Sequence, residues 1–346
     1  MRKSVLPLFC VLVLFGACRT AGEELSILSY NVQNLFDAVD DGGEYREFRV
    51  ASGLWGEGRY HAKLEAIGNV LAGVEPAPAV IVLQEVEDRA VVDTLFETYV
   101  RRNGYSVVGG YESPGSATEV VVVSRLPVLN VRTHVISGPG TAGLRPIAQV
   151  HIRSTDGVFA LFANHWKSRR GGIAHTEPLR RLAASLVSGR VNALAAEGSI
   201  DGFFVVGDLN TVADPPEVHA DVPALTAIGS SGDPVSSGAP IVTGADHYEV
   251  SAVRGRDGAP GTVMVDPWHT TTDPGSYAFD GRWERIDKIL YLLGDSWAAG
   301  VLPTAQFSVL RPSELCRSDG TPRPFDADTR SGYSDHFPVW LRLGGG

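Results

Sequence analysis

Short apolar runs alternate along this chain with stretches whose apolar residues recur every three or four positions. This alternation predicts strands and helices packed in layers, an α/β architecture. Leu25 to Tyr30, Ala79 to Leu83, Val120 to Ser124, Val158 to Ala163 and Phe203 to Val206 read as buried strands. Ile286 to Leu293 and Pro338 to Leu343 read as the last two. Helical spacing marks Arg59 to Gly73, with Leu64, Ile67 and Leu71 on one face. Another helix is expected from Thr176 as its cap, with Leu179, Leu182, Ala183, Leu186 and Leu194 as its apolar face. From Ile228 to Gly281 the chain is rich in Gly, Pro, Ser and Asp, which predicts a long excursion with little regular structure. No repeat or linker divides the chain, so residues 25–346 are expected to form one domain.

The polar residues fall in a pattern relative to these strands. Four apolar runs lead straight into residues capable of chemistry: Asn31 in SYN, Gln84 and Glu85 in IVLQE, Asn164 and His165 in FANH, and Asp208 and Asn210 in VVGDLN. In the last two strands the order reverses. Asp287 opens IDKILYLL, and Asp335 and His336 come just before PVWLRL. If those two strands run antiparallel to the first four, all six ends share one rim, which a mixed sheet permits.

Any one of these residues alone reads as a turn former. Together, Asn31, Glu85, His165, Asp208, Asn210, Asp287, Asp335 and His336 place several carboxylates side by side among apolar runs. Such crowding is unfavourable unless a cation or hydrogen-bond donors compensate. Carboxylate and amide oxygens without cysteine point to Mg²⁺, with Mn²⁺ or Ca²⁺ as alternatives, rather than zinc.

The formal net charge of −10 leaves no broad basic face for wrapping nucleic acid, although a metal site itself consumes carboxylates. The N-terminus has the form of an export signal: Arg2 and Lys3, an apolar run from Val5 through Phe15, then Gly16 and Ala17. That run is short for a membrane span, which needs about 20 residues. Residues 1–17 are expected to be a signal peptide and 18–24 a short tether. Cys18 has the setting of a lipoprotein acylation site, with plain secretion as the alternative. Cys316 then has no disulfide partner.

The segments SYNVQNLFD, LQEVED, NHWKSRRGG, GDLNT, RIDKILY and GYSDHFPV, in that order, resemble the endonuclease/exonuclease/phosphatase superfamily. The resemblance spans essentially the whole chain after the export signal. It implies a four-layer sandwich of two mixed β-sheets flanked by helices. It also implies roles: Asn31, Glu85 and Asp335 at or near the metal, Asp208 orienting or deprotonating the attacking water with Asn210 beside it, Asp287 and His336 as a carboxylate–histidine pair facing the phosphate, and His165 as a phosphate contact. Lys167 and Arg169, just past His165, and Arg145 in LRPI are candidate phosphate contacts. Trp166 is expected to pack rather than to stack on a substrate. NVQNLFD, RYHAKL, SRRGG and SYAFDGRW are similar to a bacterial branch described as predicted extracellular nucleases. The expected activity is therefore metal-dependent hydrolysis of a nucleic-acid phosphodiester by a monomer that meets membrane only through its lipid anchor. A phospholipid or sphingomyelin phosphodiesterase, or an inositol or sugar phosphatase, is the alternative within the superfamily. A non-catalytic surface-binding lipoprotein is the alternative of another class.

Overall fold

In a computed structural model of the chain, residues 25–344 are described, apart from 102–103, 111–114, 156, 214–222, 229, 232, 237, 255–261 and 295–303. The signal segment, the tether and Cys18 lie outside the described residues. Among those described, no helix is long and apolar enough to cross a membrane.

Two mixed sheets make the frame. The six-stranded sheet contains β1 (Leu25–Leu35), β2 (Val80–Val86), β3 (Ser106–Gly110) and β4 (Glu119–Ser124). The eight-stranded sheet contains β5 (Val128–His134), β6 (Ile147–Ser154), β7 (Gly157–His165) and β8 (Gly202–Asp208). It is extended by β9 (Leu225–Ala227), β10 (Ile241–Gly244) and β11 (Thr262–Val265). The strands β12 (Tyr277–Phe279) and β13 (Arg282–Glu284) form a separate hairpin. Then β14 (Asp287–Leu293) joins the eight-stranded sheet, and β15 (Thr304–Val309) and β16 (Val339–Gly344) complete the other. The orders are β15-β16-β1-β2-β4-β3 and β5-β6-β7-β8-β14-β11-β10-β9. The helices are α1 (Glu57–Ala72), α2 (Arg89–Leu95), α3 (Ile173–Glu197) and α4 (His247–Arg254).

The central strands are apolar nearly throughout because both of their faces are covered. In β1, Leu28 and Tyr30 pack with Tyr60, Leu64, Ile67 and Leu71 of α1, whereas Leu25 and Ile27 join the core shared with the other sheet. The eight-stranded sheet buries Ala183, Ala184, Val187, Val191 and Leu194 of α3. Helix, sheet, sheet and helix are the four expected layers.

Three expectations are corrected. The rim is not the edge of one mixed sheet: it is a seam, with β1, β2 and β16 on one side and β7, β8 and β14 on the other. The segment after Ile228 contributes β10, α4, β11 and the hairpin. Its short strands hide in the loop-like composition because each is only three or four residues long. Helix α3 begins before Thr176, at Ile173 with Gly172 as its cap, and its buried stripe is rotated so that Leu182 is exposed. Polar Thr176, Glu177 and Arg180 are buried there instead, because they bond to one another (Arg180 Nε donates to Glu177 Oε2 at 2.8 Å and Nη1 to Thr176 Oγ1 at 2.9 Å).

Candidate active site at the seam

The strand pairing sets the site before any side chain is considered. β1 is parallel to β2 and antiparallel to β16; β7 is parallel to β8, and β14 is antiparallel to β8. In register, His165 lies beside Asp208 and Asp208 beside Asp287. Paired residues project to the same face, so three chemical groups stand in a row on adjacent strands. Gly207 makes this row possible: at φ +133° a Cβ would lie 1.9 Å from the Asn164 carbonyl oxygen.

On the other sheet, plain alternation would send Glu85 toward the helices. Instead β2 slips register between Gln84 and Val86, and Glu85 adopts φ +63°. A bulge of this kind re-aims a side chain. β1 slips likewise between Asn31 and Leu35, with Gln33 and Asn34 at φ +56° and +55°. The result brings the two sheets' residues together. Asn31 Nδ2 donates to Glu85 Oε1 and to Asp208 Oδ2, each at 3.2 Å, while Asn31 Oδ1 accepts the Gln33 N–H at 3.0 Å. The Asn34 N–H donates to Glu85 Oε2 at 3.0 Å.

Asp208 is the centre. Its Oδ1 accepts the Asn210 N–H at 2.9 Å, and its Oδ2 lies 3.6 Å from His165 Nε2 and 3.9 Å from His336 Nε2. Burial and the nearby Asp287 push its carboxyl up to about 7, against the pull of His336 and the Asn210 N–H. Asp287 Oδ2 lies 2.8 Å from His336 Nδ1 and accepts Ser276 Oγ at 2.5 Å. Burial alone would lower His336, yet Asp287, helped by Asp335 and Asp208, holds it well above its ordinary value. His165 is held well below its ordinary value by burial and then by Arg145 and His336. The two histidines are thus driven in opposite directions, His336 toward the charged form and His165 toward the neutral one.

Asp335 is half-buried beside this group and acts electrostatically on His336 and on buried Lys63. Asn210 donates Nδ2 to the Trp166 carbonyl at 3.2 Å, and Trp166 is buried with its Nε1 on Asn164 Oδ1 at 2.9 Å, so it packs. Arg145 is tied to Thr118 through Nη2 on Oγ1 at 3.0 Å. Lys167 is half-buried in the loop after β7, where its carbonyl accepts Arg180 Nη1 at 3.0 Å. Arg169 is ion-paired with Glu284 of the hairpin, which compensates its charge within the protein.

The sequence reading did not single out several supporting residues. Lys63 is 2% exposed, and its ammonium donates to the carbonyls of Gln33 and Asn34, the two left-handed residues of the β1 bulge. A lysine between Tyr60 and Leu64 on an otherwise apolar helix face was the available signal. The Tyr277 ring stacks on His336, with centroids 4.6 Å apart and planes at 28°. Trp268 Nε1 donates to the Asp287 carbonyl at 2.7 Å. Nothing local in the sequence marks Tyr277, Ser276 or Trp268.

The residues fit a divalent cation. Carboxylate oxygens of Asp208 and Asp287 lie within 4.8 Å of one another, and the Asn31 amide links Asp208 to Glu85 on the other sheet, so three carboxylates face the seam. Asp287 Oδ1 is buried without a hydrogen-bond partner, an unfavourable state for a carboxylate that a cation relieves. The donors on the six-stranded side are oxygens, which suits a hard ion.

A family model described as the endonuclease/exonuclease/phosphatase family matches residues 26–232. The chain belongs to that family. No curated protein sequence matches it. Solved structures share its fold at low identity. Truncated TDP2 from Caenorhabditis elegans is 16% identical, with 93% of this chain and 98% of that one covered and a TM-score of 0.54. The mannosyl-6-phosphatase of Bacteroides thetaiotaomicron is 15% identical, with 93% and 100% covered and a TM-score of 0.53. D. rerio TDP2 complexed with a single-strand DNA product is 14% identical, with 93% and 99% covered and a TM-score of 0.53. Enzymes of this family are divalent-metal-dependent phosphoester hydrolases, and this chain carries a candidate acidic and histidine metal site.

Proposed function

We propose that this protein is a divalent-metal-dependent phosphodiesterase that cleaves nucleic acid with an activated water. The observation that carries the reading is the convergence of Asn31, Glu85, His165, Asp208, Asp287 and His336 from two sheets on one buried point. Asp208 serves as the base toward water: it is central to the row, between His165 and His336, its carboxyl is pushed upward by burial and Asp287, and the Asn210 N–H fixes its orientation. His336, kept protonated by Asp287, presents Nε2 toward the seam as a cationic donor to a phosphate oxygen. Neutral His165 offers its Nε2 from the same row. Glu85, Asn31 and Asp335 would hold Mg²⁺, with Mn²⁺ or Ca²⁺ as alternatives. That ion supplies charge neutralisation at the phosphate and stabilises the developing oxyanion. Arg145, which acts electrostatically on His165, supplies further positive charge near the row, and Lys167, two residues past His165, is a candidate to add to it.

Nucleic acid is favoured as substrate by the similarity of several segments to predicted extracellular nucleases, and by the structural neighbour bound to a single-strand DNA product. The structural likeness to a mannosyl-6-phosphatase makes a sugar phosphate the competing substrate. The test is a hydrolysis screen on plasmid DNA, single-stranded RNA, sphingomyelin, and sugar and inositol phosphates, with Mg²⁺ or Mn²⁺ and with EDTA. Asp208→Asn is the blank, and its turnover is expected to fall by about two orders of magnitude or more. Nucleic acid degraded with metal, and intact in EDTA or with the blank, is the expected result. Turnover confined to a lipid or sugar phosphate would overturn the substrate, and full activity in EDTA would overturn the metal.

A further inference from the structure

A second polar cluster lies outside the seam, on the exposed part of the eight-stranded sheet. β5 and β6 pair antiparallel with Arg132 opposite Gln149 and Asn130 opposite His151. By period-two alternation Asn130, Arg132 and His134 share one face with Gln149, His151 and Arg153. Gln149 is buried and organises the group. Its Oε1 accepts His134 Nε2 at 2.8 Å and Arg190 Nε of α3 at 3.3 Å, and its Nε2 donates to His151 Nε2 at 2.7 Å. The proton of neutral His151 is therefore on Nδ1, leaving a donor on the ring's other side. Arg132 and Arg153 are exposed, and Arg190 is half-buried.

The charge on this face is one-sided. The chain has 40 acidic residues to 30 basic ones, yet none of the six face positions is acidic. A merely solvated strand pair gains by setting opposite charges across from each other. Here Arg132 and Arg190 both act on both histidines, and Glu197 at the end of α3 offsets them only at His151. Guanidinium forks beside imidazole donors match the oxygens of phosphate.

We infer that the β5–β6 face binds the backbone phosphates of a single-stranded nucleic acid outside the catalytic seam. This rests on the nuclease reading above. His134 and Ile147 pair at the end of β6 nearest the catalytic rim, and the next strand, β7, ends there at His165. Two strand spacings, about 10 Å, separate His134 from the line of β7. The cluster and His165 lie on opposite faces of the sheet, because Gln149 pairs with Phe162 whereas His165 follows Ala163 in alternation. A substrate that touches both must turn over the rim. Duplex DNA, with a persistence length of about 50 nm, resists that turn, whereas a single strand makes it freely.

The test uses a fluorescein-labelled oligothymidylate of about 30 nucleotides, long enough for several phosphate contacts, with binding read by anisotropy in EDTA so that nothing is cleaved. The variant is Arg132→Gln with Arg153→Gln, both exposed and on the opposite face of the sheet from His165. We expect affinity to fall about tenfold and the slope of log affinity against log salt to shrink by about one. Hydrolysis of bis(p-nitrophenyl) phosphate with Mg²⁺, which fits the seam alone, is expected to be unchanged. Equal oligonucleotide affinity in variant and wild type would overturn the site. So would an equal loss of affinity for a duplex of the same length. Wild type that cleaves the small diester but binds no oligonucleotide would overturn both this site and the nucleic-acid substrate while leaving the phosphodiesterase intact. Wild type inert toward the small diester yet binding the oligonucleotide through these arginines would support the site and count against the catalytic reading.

Discussion

His336 Nδ1 lies 2.8 Å from Asp287 Oδ2, the same oxygen that accepts the Ser276 hydroxyl. The carboxylate thus fixes the ring's orientation and keeps it charged, at a position where burial alone would discharge it. Asp287→Asn keeps the shape and removes the charge. In metal-free protein the His336 ring should then titrate at lower pH, followed by the chemical shifts of its carbon-bound protons. Turnover with metal should fall by about two orders of magnitude. An unshifted titration would mean that Asp287 does not set the charge on His336.

His134 and His151 give a pH dependence outside the seam, on the opposite face of the sheet from His165. Burial first, with Arg132 and Arg190 adding to it, lowers both from their ordinary 6.5. Each depressed group contributes stability that is present above 6.5 and lost as pH falls through the folded-state value, because unfolding then takes up a proton. Replacing both with Gln should flatten the fall in Tm between about pH 7.5 and pH 5 relative to wild type. The carboxylates and His165 act alike in both proteins and cancel. Parallel Tm curves would show that these two rings titrate as they do in the unfolded chain.

Arg180 is fully buried and binds Glu177, Thr176 and the carbonyls of Lys167 and Ile173. Glu177 in turn accepts the Ala224 N–H at 2.7 Å. Arg180→Leu strands the Glu177 charge and should lower unfolding free energy by about 3–5 kcal/mol in urea titrations. A loss below about 1 kcal/mol would mean that water reaches Glu177 once the guanidinium is gone.

Cys18 is proposed to carry a lipid anchor after export. Cys18→Ser should move the protein from the membrane fraction to the soluble one. Unchanged membrane association would rule the anchor out.

The amino-acid sequence shows the site residues better than the way they are assembled. Asp208, Asp287 and His165 were legible because each ends or begins an apolar run, and strand pairing does the rest. Glu85 was legible as a residue, but its direction was not, since the bulge that turns it inward depends on pairing with β1 and β4. The seam itself was invisible, because nothing local tells which strands share a sheet. β9, β10 and β11 escaped because runs of three or four residues carry no readable period. Lys63 escaped because its partners are backbone carbonyls in another element, and Arg169 seemed free because Glu284 lies more than a hundred residues away.

The pairing of β1 with β16 has a consequence for when the protein can act. Asn31 and His336 come from opposite ends of the described chain, and the Ser334 hydroxyl donates to the Asn31 carbonyl at 2.6 Å. A growing polypeptide therefore holds no complete reaction centre until β16 has been made and paired with β1. Completion of the site is in this way tied by topology to the pairing of two strands that lie far apart in the chain.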